Sequence, residues 1–120
     1  MKALDTSLYF ITDSTGYTEE EFLYRVERAL QGGATLLQLR EKEKSTREYM
    51  ELAKKVHMVA KRYQVPLIID DRVDVALAVD AEGVHVGADD MPVADARRLM
   101  GADSIVGATA KTVFRAEEAF

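Results

Sequence analysis

Gln38, Arg40 and Lys42 fall two residues apart in the run QLREK, at the end of an apolar stretch. While the backbone stays extended, that spacing points all three side chains to one side, with Leu37 and Leu39 pointing to the other. A glutamine and an arginine on the interior of a buried strand are costly unless they are paired or used. Arg40 therefore either forms an internal salt bridge with a neighbouring strand's carboxylate or serves a ligand. Asp70 and Asp71 end a second apolar run, PLIIDD, and two adjacent carboxylates repel each other without a cation nearby. Carboxylates are hard oxygen ligands suited to Mg²⁺, which binds through one or two of them plus substrate phosphates. The competing assignment has Asp71 capping a helix that starts at Arg72 and Asp70 pairing with Arg40.

Asp89 and Asp90 precede Pro92. They could complete such a metal site, or either could cap the helix that follows. The run Gly107-Ala108-Thr109-Ala110-Lys111-Thr112 combines small residues and hydroxyls ahead of a helix, a pattern that suits an anionic oxygen. His85, inside GVHVG, reads as a satisfied core residue rather than a ligand or a base. With only His57 for company, it belongs to no histidine metal cluster.

The whole sequence limits what these residues can serve. The chain has 120 residues, of which 48% are hydrophobic and 31% charged, which suits one globular domain and argues against disorder. A net charge of −5 with no basic stripe makes nucleic acid an improbable partner, and an anionic substrate would need local cations or a metal. There are no cysteines, so disulfides, thiolate catalysis and zinc–thiolate sites are excluded. No stretch approaches the ~20 apolar residues that span a bilayer. The first residues carry no long apolar run of a secretory signal, so the expected location is cytoplasmic.

Strand and helix periodicities alternate along the chain. Strands are expected at Ser7 to Thr12, Ala34 to Arg40, Pro66 to Asp70, Gly83 to Val86 and Ser104 to Thr109. Capping boxes at Thr18–Glu21 and Ser45–Glu48 open the first two helices, and Gly32 and Gly33 stop the first. The second helix carries the apolar stripe Tyr49, Leu52, Ala53, Val56, Val59, Ala60 and Tyr63. The third runs from Val73 to Val79 with Val73, Ala76 and Leu77 inward. The fourth runs from Pro92 to Met100, and a fifth has begun by Phe114. This βα alternation implies an α/β fold with parallel strands and right-handed crossovers, whose ligands bind at the C-terminal ends of the strands. It fits an open doubly wound sheet or part of a barrel. The first turn, Asp13-Ser14-Thr15-Gly16, lacks the GxGxxG or Walker lysine of nucleotide-binding sheets.

The runs YFITD, GGATLLQLREK, PLIIDDRVDVALAVDAEGVHVGADDMP and IVGATAKT together resemble thiamine phosphate synthase over nearly all of the chain. The resemblance implies a partial (β/α)₈ TIM barrel of about five βα units, with residues 1–120 a single, incomplete domain. It implies a transferase that joins hydroxymethylpyrimidine diphosphate to a thiazole phosphate in thiamine biosynthesis and releases pyrophosphate. Arg40 and Lys42 would be catalytic. Gln38, Arg40, Lys42, Asp70 and Thr109 would bind substrate, and Asp71 and Asp90 would bind Mg²⁺. The alternatives are a thiazole tautomerase-like isomerase, for which His85 is the general acid/base available, and a non-catalytic phosphate-binding or interaction module.

Four features depart from the family pattern. Asp70 stands where the family usually has Asn, Thr109 where Ser is usual, Ala88 where Gln is frequent, and Glu82 where Asp precedes Gly-Val-His. A full barrel also needs about 200 residues or more. A five-strand sheet exposes its first and last strands as edges that invite pairing, so a homo-oligomer formed through those edges is expected.

Overall fold

The computed structural model describes residues 4–109. Nine elements alternate: β1 (Tyr9–Thr12), α1 (Glu19–Gln31), β2 (Leu36–Leu39), α2 (Thr46–Arg62), β3 (Leu67–Asp70), α3 (Val73–Val79), β4 (Gly83–Val86), α4 (Val93–Met100) and β5 (Ile105–Ala108). Both expected capping boxes form, with Thr18 and Ser45 accepting from the backbone of Glu21 and Glu48. The fifth helix lies outside the described residues.

All strands are parallel and pair in the order β1-β2-β3-β4-β5. A doubly wound sheet reverses its strand order at a switch point. This sheet never does, and each helix packs on the next, α1 on α2, α2 on α3 and α3 on α4. Right-handed crossovers in an unreversed order keep the helices on one face, as in a barrel wall.

That face buries the main core. Leu37, Leu39, Leu67, Ile69, Val84 and Val86 from the strands meet Phe22 and Val26 of α1 and Tyr49, Ala53 and Val56 of α2. On the opposite face, Ile11, Gln38, Ile68, Gly83 and Ile105 form one row across the five strands. A Cβ at Gly83 would lie 2.3 Å from the Ile105 carbonyl oxygen and 2.8 Å from Ile68 Cδ1. The row is therefore packed without room for a fifth side chain.

Two details differ from the sequence expectation. Leu77 is 45% exposed, and Val75 and Val79 are buried in its place. With Val73 and Ala76 also inward, the short α3 turns its i, i+3, i+4 stripe away from position 77. Only Gly33 takes the left-handed turn after α1 (φ 106°), while Gly32 stays helical (φ −77°).

Candidate functional site

The C-terminal ends of the strands form an open cleft of about 560 Å³. Gln38, Arg40, Lys42, Asp70, Asp71, His85, Asp89, Asp90 and Thr109 all line it, while Ala110, Lys111 and Thr112 lie outside the described residues. Gln38, Arg40 and Lys42 come from β2 and the chain just beyond. Asp70 and Asp71 come from the end of β3, Asp90 from the loop after β4, and Thr109 from the end of β5.

Adjacent residues of a strand project to opposite faces, so Asp70 and Asp71 should diverge. They converge because Asp71 leaves the strand in the left-handed region (φ 68°), its N–H held 2.7 Å from the His85 carbonyl oxygen. Asp is one of the few non-glycine residues that tolerates this conformation. Lys42 Nζ then reaches both carboxylates, bonding Asp71 and lying 3.0 Å from Asp70 Oδ2. Arg40 Nε stands 3.6 Å from the same Asp70 oxygen. The Arg40–Asp70 pair of the competing assignment is thus present, but Arg40 keeps 54% of its side chain exposed and lines the cleft. Asp70 is buried, and its Oδ2 has these ion pairs yet no aligned hydrogen bond.

The two capping assignments do not hold. The N-cap of α3 is Arg72 and that of α4 is Pro92, and neither receives a side-chain cap. Asp90 instead accepts a 2.7 Å bond from the Gly87 N–H, which turns its carboxyl into the cleft beside Asp71.

The electrostatics follow from this crowding. Burial pushes the Asp70 carboxyl above the ordinary range against the pull of Lys42, and the Asp71 charge adds to the rise. Burial acts on Asp71 as well, but its hydrogen bonds with Lys42 and Asp90 outweigh it and hold that carboxyl low. Burial, then the bond with Asp71, pushes Asp90 up. Lys42 is held more basic by its bond to Asp71. Two neighbouring carboxyls also offer a place for one hard cation. No cluster of three or more acidic, His or Cys ligands occurs among the described residues. The Asp71 and Asp90 carboxylates by themselves fit Mg²⁺, which keeps waters and takes ligand oxygens beside one or two carboxylates.

Some cleft residues were not singled out from the sequence. Tyr9 and Ile11 project from β1, and the Tyr9 hydroxyl accepts a 2.6 Å bond from the Gln38 amide. Their i, i+2 spacing on the first strand was the available signal. His85 is not a core residue: it lines the cleft, its Nε2 2.8 Å from Thr109 Oγ1. A Cβ at Gly107 would sit 2.9 Å from its Nδ1, so the glycine leaves space for the ring. Behind the rim, the buried Tyr49 hydroxyl lies 2.8 Å from the Leu39 carbonyl oxygen and 3.1 Å from that of Asp70, tying the ends of β2 and β3 together.

A larger concavity, about 1000 Å³, runs along β1 and α1. Its charged groups do not converge on a ligand position: Arg25 stacks on Tyr17 at 4.5 Å and Glu21 serves the α1 capping box. At the opposite end of the strands, buried His57 meets the Glu82 carboxylate at 2.8 Å, and Glu82 accepts from the Leu67 N–H at 2.8 Å. Both partners are satisfied by protein groups, which marks a structural network.

Comparison with known proteins gives one family. The family model described as thiamine monophosphate synthase matches residues 8–120. A thiamine-phosphate synthase of Enterococcus faecalis is 55% identical over 112 residues, 93% of this chain and 53% of the relative. One from Caldanaerobacter subterraneus is 53% identical over 119 residues, 99% of this chain and 56% of the relative. The solved thiamine phosphate pyrophosphorylase of Pyrococcus furiosus superposes with a TM-score of 0.81 at 42% identity, over 93% of this chain and 54% of that one. The chain spans about half the length of the curated relatives it matches.

Proposed function

The chain belongs to the thiamine monophosphate synthase family, and from that premise we propose that residues 1–120 form the N-terminal portion of a (β/α)₈ barrel carrying the diphosphate-binding half of a thiamine phosphate synthase site. The reaction would couple hydroxymethylpyrimidine diphosphate to a thiazole phosphate. The observation that supports this reading is the convergence, on one strand-end cleft, of two cations, an amide and the Asp71–Asp90 pair.

In the proposed reaction the bond between the pyrimidine methylene carbon and the diphosphate oxygen breaks, and its electron pair leaves on oxygen. The thiazole nitrogen supplies its lone pair to the same carbon, forming the C–N bond. No proton transfer and no protein nucleophile are required. Arg40 and Lys42 act on the charge that develops on the leaving pyrophosphate, a stabilisation greatest in the transition state. Gln38, oriented by Tyr9, and Thr109, oriented by His85, add hydrogen bonds that fix the diphosphate. Asp71 and Asp90 would hold Mg²⁺, which neutralises phosphate charge when bound. Lys42 pairs with both Asp70 and Asp71, which keeps its ammonium at the rim where the diphosphate would bind.

A tautomerase would need an acid/base but not the carboxylate pair, and the matched relatives are named as synthases. No helix among the described residues is long and apolar enough to cross a membrane, in keeping with a cytoplasmic enzyme. The edge strands support pairing with further β-structure, either the rest of a barrel or a second copy of the chain, since Ile11 on β1 is 54% exposed. Light scattering after size exclusion distinguishes a dimer from a monomer. Calorimetric titration of the chain with pyrophosphate and Mg²⁺ tests the site, and Mg²⁺-dependent pyrophosphate release from the two substrates tests turnover. No pyrophosphate binding, with or without Mg²⁺, would overturn the reading.

A further inference from the structure

The segment carrying the two cations leaves the sheet almost at once. The Arg40 N–H makes a 2.8 Å bond to the Thr12 carbonyl oxygen, and β2 has already ended at Leu39. Lys42 lies two residues further on, in loop. Long cationic side chains on a free loop lose much of their binding energy to the entropy of ordering them. Something other than the ladder must hold this backbone.

Glu41 lies between them. Its side chain does not line the cleft that Arg40 and Lys42 line, and it is only 4% exposed. Both of its oxygens are used by one residue of the loop after β1: Oε2 accepts from the Ser14 N–H at 2.7 Å and Oε1 from the Ser14 hydroxyl at 2.5 Å. A two-point bond fixes the carboxylate plane as well as its position. The anchor is itself ordered, for Ser14 is buried, the Tyr17 N–H bonds the Ser14 carbonyl and the Thr15 N–H bonds Asp13. Among the described residues its one ion-pair partner is Lys44, at 3.9 Å. Covering a carboxylate is costly, and an apolar side chain would fill this space at lower cost. The directional bonds achieve what an apolar filler does not, which is to set the backbone rotation between two cations.

We infer that Glu41 is a positioning residue, clamped by Ser14, which presents Arg40 and Lys42 to a diphosphate. The inference rests on the reading of those two residues as diphosphate ligands. Its test therefore has one measurement that needs no ligand. In the ligand-free chain, ¹⁵N relaxation of the Arg40 Nε–H reports how firmly that side chain is held. Pyrophosphate with Mg²⁺, titrated calorimetrically, reports affinity. Glu41→Ala should lower Arg40 order and weaken pyrophosphate roughly tenfold, the loss typical when a supporting residue behind a ligand is removed. Glu41→Gln keeps one acceptor oxygen and should recover part of both. Ser14→Ala should weaken binding in the wild-type background and add nothing in Glu41→Ala.

A purely structural Glu41 would lower the melting temperature and leave Arg40 order and the affinity ratio unchanged. Equal Arg40 order in wild type and Glu41→Ala overturns the inference, whatever the titration shows. Reduced order in the variants, with no pyrophosphate bound by the wild type, overturns the diphosphate site and leaves the clamp.

Discussion

Replacing Asp70 with Asn is the sharpest test of the cleft's electrostatics. Asp70 is a buried anion whose Oδ2 stands 3.0 Å from Lys42 Nζ and 3.6 Å from Arg40 Nε, on the two cations a diphosphate would need. A phosphate oxygen touching those cations would lie about 6 Å from that carboxylate, two contacts away. One unit charge repels another by ~3 kcal/mol at 6 Å with an effective dielectric near 20. Arg40 and Lys42 are about half exposed, and solvent screening brings this down to about 1–1.5 kcal/mol. Asp70→Asn should therefore tighten pyrophosphate roughly tenfold at pH 7 in calorimetric titration.

The same substitution has a stability signature in metal-free buffer. Asp70 is raised in the folded state, chiefly by burial, so the wild type loses stability as pH climbs from the unfolded carboxyl value of ~3.9 through the folded one. Asparagine does not titrate. Its advantage in melting temperature should be present at pH 7 and fade as pH falls below about 4. Weaker pyrophosphate binding by Asp70→Asn would refute the reasoning, because it would mean that Asp70 holds the two cations in place more than it competes for them.

Three further outcomes are expected. Arg40→Ala and Asp71→Asn should each weaken pyrophosphate binding in the presence of Mg²⁺, by about 1.5–3 kcal/mol for a lost charge-assisted contact, and unchanged calorimetric affinity in both would remove them from the site. Tyr49→Phe leaves the Leu39 and Asp70 carbonyl oxygens without the hydroxyl between them, and chemical denaturation should show a loss of about 1–3 kcal/mol. Glu82→Ala, at the far end of the strands, should cost a similar amount by stranding His57 and the Leu67 N–H, yet leave pyrophosphate affinity as it was; a parallel fall in affinity would tie that network to the cleft.

Much of this molecule was legible in the residues. Alternating periods marked all nine described elements, since a strand with one apolar face and a helix with one apolar stripe differ in spacing whatever surrounds them. The capping boxes were equally local, each closed within four residues. The period-two spacing of Gln38, Arg40 and Lys42 placed them on one side before any contact was known.

What remained hidden depended on partners distant in the chain. Open sheet and barrel wall have the same βα alternation, and only the unreversed strand order with helices on one face separates them. No spacing rule brings Asp70 and Asp71 to the same side; the left-handed turn at Asp71, held by the His85 carbonyl, does so. The pairing of Glu41 with Ser14 spans 27 residues, and that of His85 with Thr109 spans 24. Sequence alone determined the kinds of group and the strand ends that carry them, because propensity and periodicity act over a few neighbours. Tertiary structure decided which groups meet, because burial and hydrogen bonding act through space.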